Sequence, residues 1–216
     1  MHTLRYYTAC SLLLLIVLLV ACKQGHQPAA KVVPVATVAT DSSSLDRYTP
    51  AGYEVFDEEQ GDLNLDSIPD LILVLHKTGE SKLATVAAKR PMLILMGRPD
   101  TGYDLLAKND HVVYSHDMGG SSNPEPFDTI AITHGRFSVK HWGGMGSFQW
   151  ERSETFQYAP NEKKFYLFKD SYKAEHFTFI GNKGMRSSKL VNTVKTAKDF
   201  GKLPFDKYDI YKEPND

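Results

Sequence analysis

The sequence predicts a mainly β fold: one antiparallel sheet domain, a sandwich or a highly curved sheet with little helix, behind a signal peptide and a flexible tether. Three observations lead there. From Pro50 onward, short apolar or alternating runs recur between clusters of Gly, Pro, Asn and Asp. The stretch "SFQWERSETFQY" alternates residue by residue, placing Phe148, Trp150, Arg152, Glu154, Phe156 and Tyr158 on one face. Helical periodicity is absent until a short segment near the C-terminus.

The expected strands follow in order. Tyr53 to Phe56, Leu71 to Leu75, Met92 to Met96, Tyr103 to Leu106 and Val112 to Tyr114 form a first group. Ile130 to Ile132, Phe137 to Trp142, Phe148 to Tyr158, Lys164 to Phe168 and His176 to Ile180 form a second. "PDLILVLH" and "RPMLILMG" are continuous apolar runs of strand length, which suits central strands covered on both faces. In the alternating strand, Arg152 and Glu154 interrupt the apolar stripe, so either the buried stripe breaks there or the pair lies at an edge. In "TAKDFG", Thr196 and Asp199 have capping-box spacing and Gly201 is placed to stop a single helical turn.

Composition sets bounds on function. A chain of 216 residues with 42% hydrophobic and 24% charged residues reads as one globular domain. Its net charge of −1 lacks the basic excess that draws proteins to phosphate backbones, so nucleic acid is not an expected partner. No GxSxG, HExxH, Walker or GxGxxG pattern is present.

The N-terminus is more specific. One firm positive charge, Arg5, precedes nine apolar residues from Leu12 to Val20, too few for the ~20 that span a bilayer, and this reads as an export signal. The stretch "LVAC" that follows resembles the lipobox of bacterial lipoproteins. The resemblance implies cleavage of residues 1–21, lipidation of Cys22 and attachment to a membrane of the bacterial cell envelope, most simply the outer membrane. Acyl-chain burial of ~0.8 kcal/mol per methylene holds such an anchor, and two or more chains make it stable. Residues 22–48 then form the lipidated cysteine and a tether rich in Ala, Pro, Ser and Thr, and residues 49–216 the single β domain.

Between two expected strands lies "GDLNLDSIPDLILVL", residues 61 to 75. Hard cations take oxygens from alternate loop positions, and Asp62, Asn64, Asp66, the carbonyl of Ile68 and Asp70 supply them at that spacing. The pattern resembles the DxNxDxxxD calcium loop of FG-GAP and integrin-propeller repeats, and implies a structural Ca²⁺. Ser67 stands where such loops prefer glycine for a left-handed turn, at a cost of about 1 kcal/mol. The competing reading is an Asx-rich turn that binds nothing.

With "RPMLIL", Gly119-Gly120 ahead of Pro126-Phe127, and Gly143-Gly144 ahead of Phe148 and Trp150, the chain from about 50 to 170 resembles a family of uncharacterised bacterial lipoproteins of Bacteroidetes type. That family supplies no activity. The loop occurs once, so a true propeller is not implied.

Two polar segments hold the remaining candidates. His111, His116, Asp117 and Asp128 flank the first glycine pair, and His116 with Asp117 is the natural acid–base pair if the protein is an envelope hydrolase. A glycine-rich connection is the simpler reading. His134 and His141, seven apart in a β context, fall on opposite faces and are not expected to share a metal. Packing is the expected use of Trp142, with an exposed ligand platform as the alternative. "FDEEQGD" is expected to be a solvated acidic patch. The leading expectation is a lipid-anchored, non-enzymatic module presenting a calcium-stabilised surface to a protein or glycan partner; a structural subunit of an envelope complex is the third.

Overall fold

In the structure, a computed structural model, residues 45–80 and 88–212 are described; Cys22, the export segment and most of the tether lie outside them. Strands β1 (Tyr53–Gly61), β2 (Asp70–Lys77), β3 (Arg90–Gly97) and β4 (Tyr103–Val113) form one four-stranded antiparallel sheet in chain order. Strands β5 (Phe127–Ile132), β6 (Arg136–Met145), β7 (Phe148–Ala159), β8 (Lys164–Phe179) and β9 (Met185–Thr196) form a second sheet of five, again in chain order. Within each sheet every strand pairs antiparallel with the next in the chain.

The two continuous apolar runs become the centre of the first sheet, and both their faces are covered. Ile72, Val74, Met92 and Ile94 point into a core shared with Phe137, Val139, Phe156, Phe165 and Leu167 of the second sheet. Leu71, Leu73, Leu75, Leu93 and Leu95 point the other way, into a smaller cluster closed by Leu45 and Tyr48. The packed chain therefore begins earlier than the expected boundary at residue 49. Arg47 Nη2 donates to the Tyr103 carbonyl at 2.9 Å, and the Tyr48 hydroxyl donates to the same oxygen.

The shared core makes the two sheets a sandwich. Where they meet, Gly61 of β1 lies against Ile132 of β5 so closely that a Cβ would stand 2.8 Å from its Cγ2. The end of the core is closed by helix α1 (Ala197–Phe200) and the segment after it, which bring in Phe200, Phe205, Tyr208 and Ile210. Asn109 of β4 fixes that segment, its Nδ2 donating to the carbonyls of Phe205 and Tyr208 at 2.5 and 2.8 Å. Helix α1 has the capping box read from sequence: Thr196 Oγ1 accepts from Lys198 N, Asp199 Oδ2 accepts from Thr196 N, and Gly201 ends the turn at φ 70°.

Several boundaries differ from expectation. Tyr103 to Leu106 and Val112 to Val113 belong to one bulged strand that ends before Tyr114, and Lys164 to Phe168 and His176 to Phe179 to another that ends before Ile180. β9 was not expected: Met185 to Val194 are exposed on both faces, so no apolar alternation marks them. The acidic stretch Asp57 to Glu59, expected to be solvated, lies in β1 with Asp57 and Glu59 half-buried, and burial is the main influence raising their carboxyls above the usual range. Arg152 and Glu154 lie in β7, between β6 and β8, which rules out the edge and leaves the broken stripe.

Candidate binding face and its supporting networks

The two glycine pairs meet. After a 3₁₀ turn at His116–Gly119, Gly120 has φ 88° and lies against the Gly144 carbonyl, while Gly143 lies against the Gly119 carbonyl. A Cβ on Gly143 would also come within 2.6 Å of the Trp150 ring. Glycine at these positions lets the 115–126 connection pack backbone to backbone on the end of β6.

A buried arginine anchors the same connection. Arg90, 1% exposed, grips Glu125 with two nitrogens at 2.5 and 2.6 Å and reaches Glu80 at 3.1 Å, its guanidinium 4.4 Å over the Phe56 ring. His116 Nδ1 stands 3.1 Å from Glu125 Oε2, the oxygen that also accepts from Arg90 Nη2. Burial, the largest influence, would raise the Glu125 carboxyl, but the bonds from Arg90 and His116 outweigh it and hold it below its ordinary value. His116 is thus part of a scaffold. Asp117 accepts only from Ser115 Oγ, at 3.4 Å.

A second charged network breaks the apolar stripe of β7. Arg152 donates to Asp170 at 2.8 Å, to the Tyr114 hydroxyl at 2.9 Å, to the Ile210 carbonyl at 3.0 Å and to the Tyr208 hydroxyl at 3.2 Å. Burial opposes the arginine's charge most strongly, yet Tyr208, Asp170 and Glu154 together keep its pKa above the ordinary value. Glu154 and His141 are fully buried beside it. Arg152 Nε lies 2.8 Å from Glu154 Oε1, and His141 Nδ1 lies 3.4 Å from Oε2. Neither contact is a hydrogen bond, so among the described residues both carboxylate oxygens of Glu154 and both ring nitrogens of His141 lack a hydrogen-bond partner. The His141 ring packs in T-shaped contacts with Tyr114 and Phe127, centroids 5.1 and 6.1 Å apart.

The acidic loop folds on itself. Asp62 accepts from the amides of Leu65, Asp66 and Ser67 at 2.6 to 3.1 Å, Asn64 from Asp66 N at 2.9 Å, and Asp66 from Ile68 N at 2.8 Å. Leu65 and Ser67 take left-handed conformations, φ 66° and 70°, so Ser67 adopts the turn that glycine would favour. Asp70 is used differently: wholly buried, it accepts from Leu63 N and Gly97 N, both at 2.8 Å, and ties the loop to β3. Among the described residues no group of three or more His, Cys, Asp or Glu could hold a metal ion, so Asp62, Asp66 and Asp70 are not gathered as a three-carboxylate cage. In donor type Asp62, Asn64 and Asp66 still fit a hard cation, and their turns aim alternate side chains into one loop. The charges of Asp66 and Asp62 add to burial in raising the Asp70 carboxyl, a repulsion that a cation would relieve.

The remaining sequence candidates are scattered. His111 presents its ring to the edge of Tyr211, centroids 6.3 Å apart, and His134 occupies the turn before β6 at φ 49°. Asp128 is the member of its segment that reaches an open cleft.

That cleft lies on the outer side of the five-stranded sheet, with a volume of about 490 Å³. The register explains its lining. Trp142, Glu151, Lys173 and Asn192 are successive cross-strand neighbours on β6 to β9, and Lys140, Ser153 and Ser171 form the next row on that face. The inward row is His141, Arg152 and Tyr172. These three also border the cleft, so the cleft adjoins the buried network. Trp142 is 38% exposed, which corrects the expectation that it packs in the core. A smaller hollow of about 110 Å³ continues past it toward Gln149, Glu175 and Phe177. Sequence reasoning singled out Trp142, Asp128 and His141 but missed Lys140, Glu151, Lys173 and Asn192. The signal was their alternate spacing with Trp142, visible only once the strands were paired.

No family model, curated protein or solved structure matches the chain.

Proposed function

We propose that this protein is an exported lipoprotein, anchored through Cys22 to a bacterial envelope membrane, whose five-stranded sheet presents its outer face to an envelope partner. The observation that carries the reading is Trp142: a large indole left 38% exposed in a strand-held cleft of about 490 Å³, among polar groups of both signs. A rigid sheet holds those side chains in place, so a partner meets a pre-formed surface and little ordering entropy opposes binding.

Calcium fits this reading as a structural ion. Asp62, Asn64, Asp66 and the Ile68 carbonyl would hold it, with Asp70 as the group that connects the loop to β3. When bound, the ion would supply charge neutralisation where β1 passes into β2. The hydrolase alternative draws no support from its named residues, because His116 is engaged with Glu125 and Asp117 accepts from Ser115.

Photo-crosslinking tests the proposal. A benzoylphenylalanine in place of Ser153, on the cleft face, is expected to give an adduct in intact envelopes, and the same probe in place of Tyr166 is expected to give none. Equal labelling, or none at either position, would overturn the binding-face reading. Replacement of Cys22 by Ala is expected to release the protein from the membrane fraction; a membrane-bound variant would remove the anchor.

A further inference from the structure

We propose that the open cleft takes a neutral carbohydrate chain, laid across the strands with one sugar ring against Trp142; this rests on the binding-face reading above. A sugar hydroxyl both donates and accepts, and a carboxylate beside an ammonium or amide satisfies both roles. Glu151, Lys173 and Asn192 stand in consecutive register next to Trp142, with Asp128 and Lys140 on the near side.

The charges balance. Asp128 and Glu151 oppose Lys140 and Lys173, Arg152 is paired with Asp170 at 2.8 Å, and Lys173 is also 3.2 Å from Glu175. A polyanion or polycation would find no complementary field here. A protein partner of ordinary kind would need a contiguous apolar centre, whereas this lining is carboxylate, ammonium, amide and hydroxyl around aromatic rings. The exposed indole offers a flat apolar face to the C–H side of a pyranose while its surroundings engage the hydroxyls. From β5 to β9 the cleft crosses four strand spacings, ~19 Å, which calls for a chain of several sugars rather than a monosaccharide.

The test is calorimetric titration of the full-length protein in detergent with neutral hexasaccharides of glucose, xylose, mannose and N-acetylglucosamine, with a galacturonate hexamer as the charged control. At least one neutral hexamer is expected to bind. Trp142→Ala is expected to weaken it by about tenfold or more, and Glu151→Gln to weaken it less. Phe168→Ala, lining a separate hollow near α1, is expected to leave it unchanged. No binding by any neutral hexamer, equal binding by Trp142→Ala, or binding of the galacturonate alone would overturn the proposal. The Ser153 cross-link separates that failure from failure of the underlying reading. An adduct without hexamer binding leaves the face occupied by another class of partner, and absence of both removes the face itself.

Discussion

Gly143 lies directly beneath the Gly119 carbonyl, so close that no side chain fits between them. The contact joins the first glycine pair to the second and seats the 115–126 connection on the end of β6. Gly143→Ala is expected to displace that connection and destabilise the fold by about 1–3 kcal/mol, the usual cost of forced overpacking. Urea unfolding measures it, with faster amide exchange at Gly119 to Ser122 as the local sign. Gly146→Ala is the comparison: its Cβ would meet nothing, but φ 60° there costs a smaller amount, about 1 kcal/mol.

Arg90 is buried with carboxylates on two sides, so removing it takes the guanidinium partner from both Glu125 and Glu80. Arg90→Ala is expected to cost about 3–5 kcal/mol, the range for breaking a buried pair by deleting one partner. Arg90→Lys keeps the charge but loses the two-pronged grip on Glu125, and is expected to recover part of the loss. Thermal melting of the three proteins orders them.

Glu125 gives the fold an acid-sensitive element. Its folded pKa lies below the unfolded value, so its contribution is present above the ordinary carboxylate range and is lost as pH falls through the folded value. Wild-type stability is therefore expected to drop below about pH 4.5, and Glu125→Gln to be less stable at neutral pH with a shallower acid slope. Asp70, raised chiefly by burial, acts with the opposite sign: its contribution is present at low pH and lost as pH rises through its folded value. The difference between wild type and Glu125→Gln isolates the first effect. Parallel pH curves would contradict the role given to Glu125.

At the acidic loop the calcium proposal and the backbone give separable expectations. Ser67→Gly removes a left-handed non-glycine residue and is expected to stabilise the apo protein by about 0.5–1 kcal/mol. Millimolar Ca²⁺ is expected to raise the melting temperature of wild type and not of Asp62→Ala. Asp70→Ala is expected to cost about 2–4 kcal/mol with or without the ion, since it leaves the buried amides of Leu63 and Gly97 without an acceptor.

How much was legible in the sequence follows from what each segment buries. β2 and β3 could be read because continuous apolar runs have no other stable use, and both are covered on two faces. The cap of α1 could be read because Thr196 and Asp199 act over three residues. β9 could not, because its residues are held by backbone pairing to β8 and bury almost nothing. The Arg90–Glu125 pair was hidden by separation along the chain: 35 residues apart, neither carries a local pattern that names the other. The binding face was half legible. Trp142 stood out as a residue type, but its outward direction follows from alternation along β6 with the buried Phe137, Val139, His141 and Gly143, a face assignment fixed only by the packing of the sheet.

Oxidative footprinting of Trp142 in native envelopes, compared with purified protein, tests the central claim most directly. Exposed Met185, on the far hairpin and away from the cleft, serves as the internal standard. The account expects Trp142 to be protected in the envelope while Met185 oxidises equally in both preparations. Equal oxidation of Trp142 in the two would mean that the outer face of the five-stranded sheet is unoccupied, and would contradict the account.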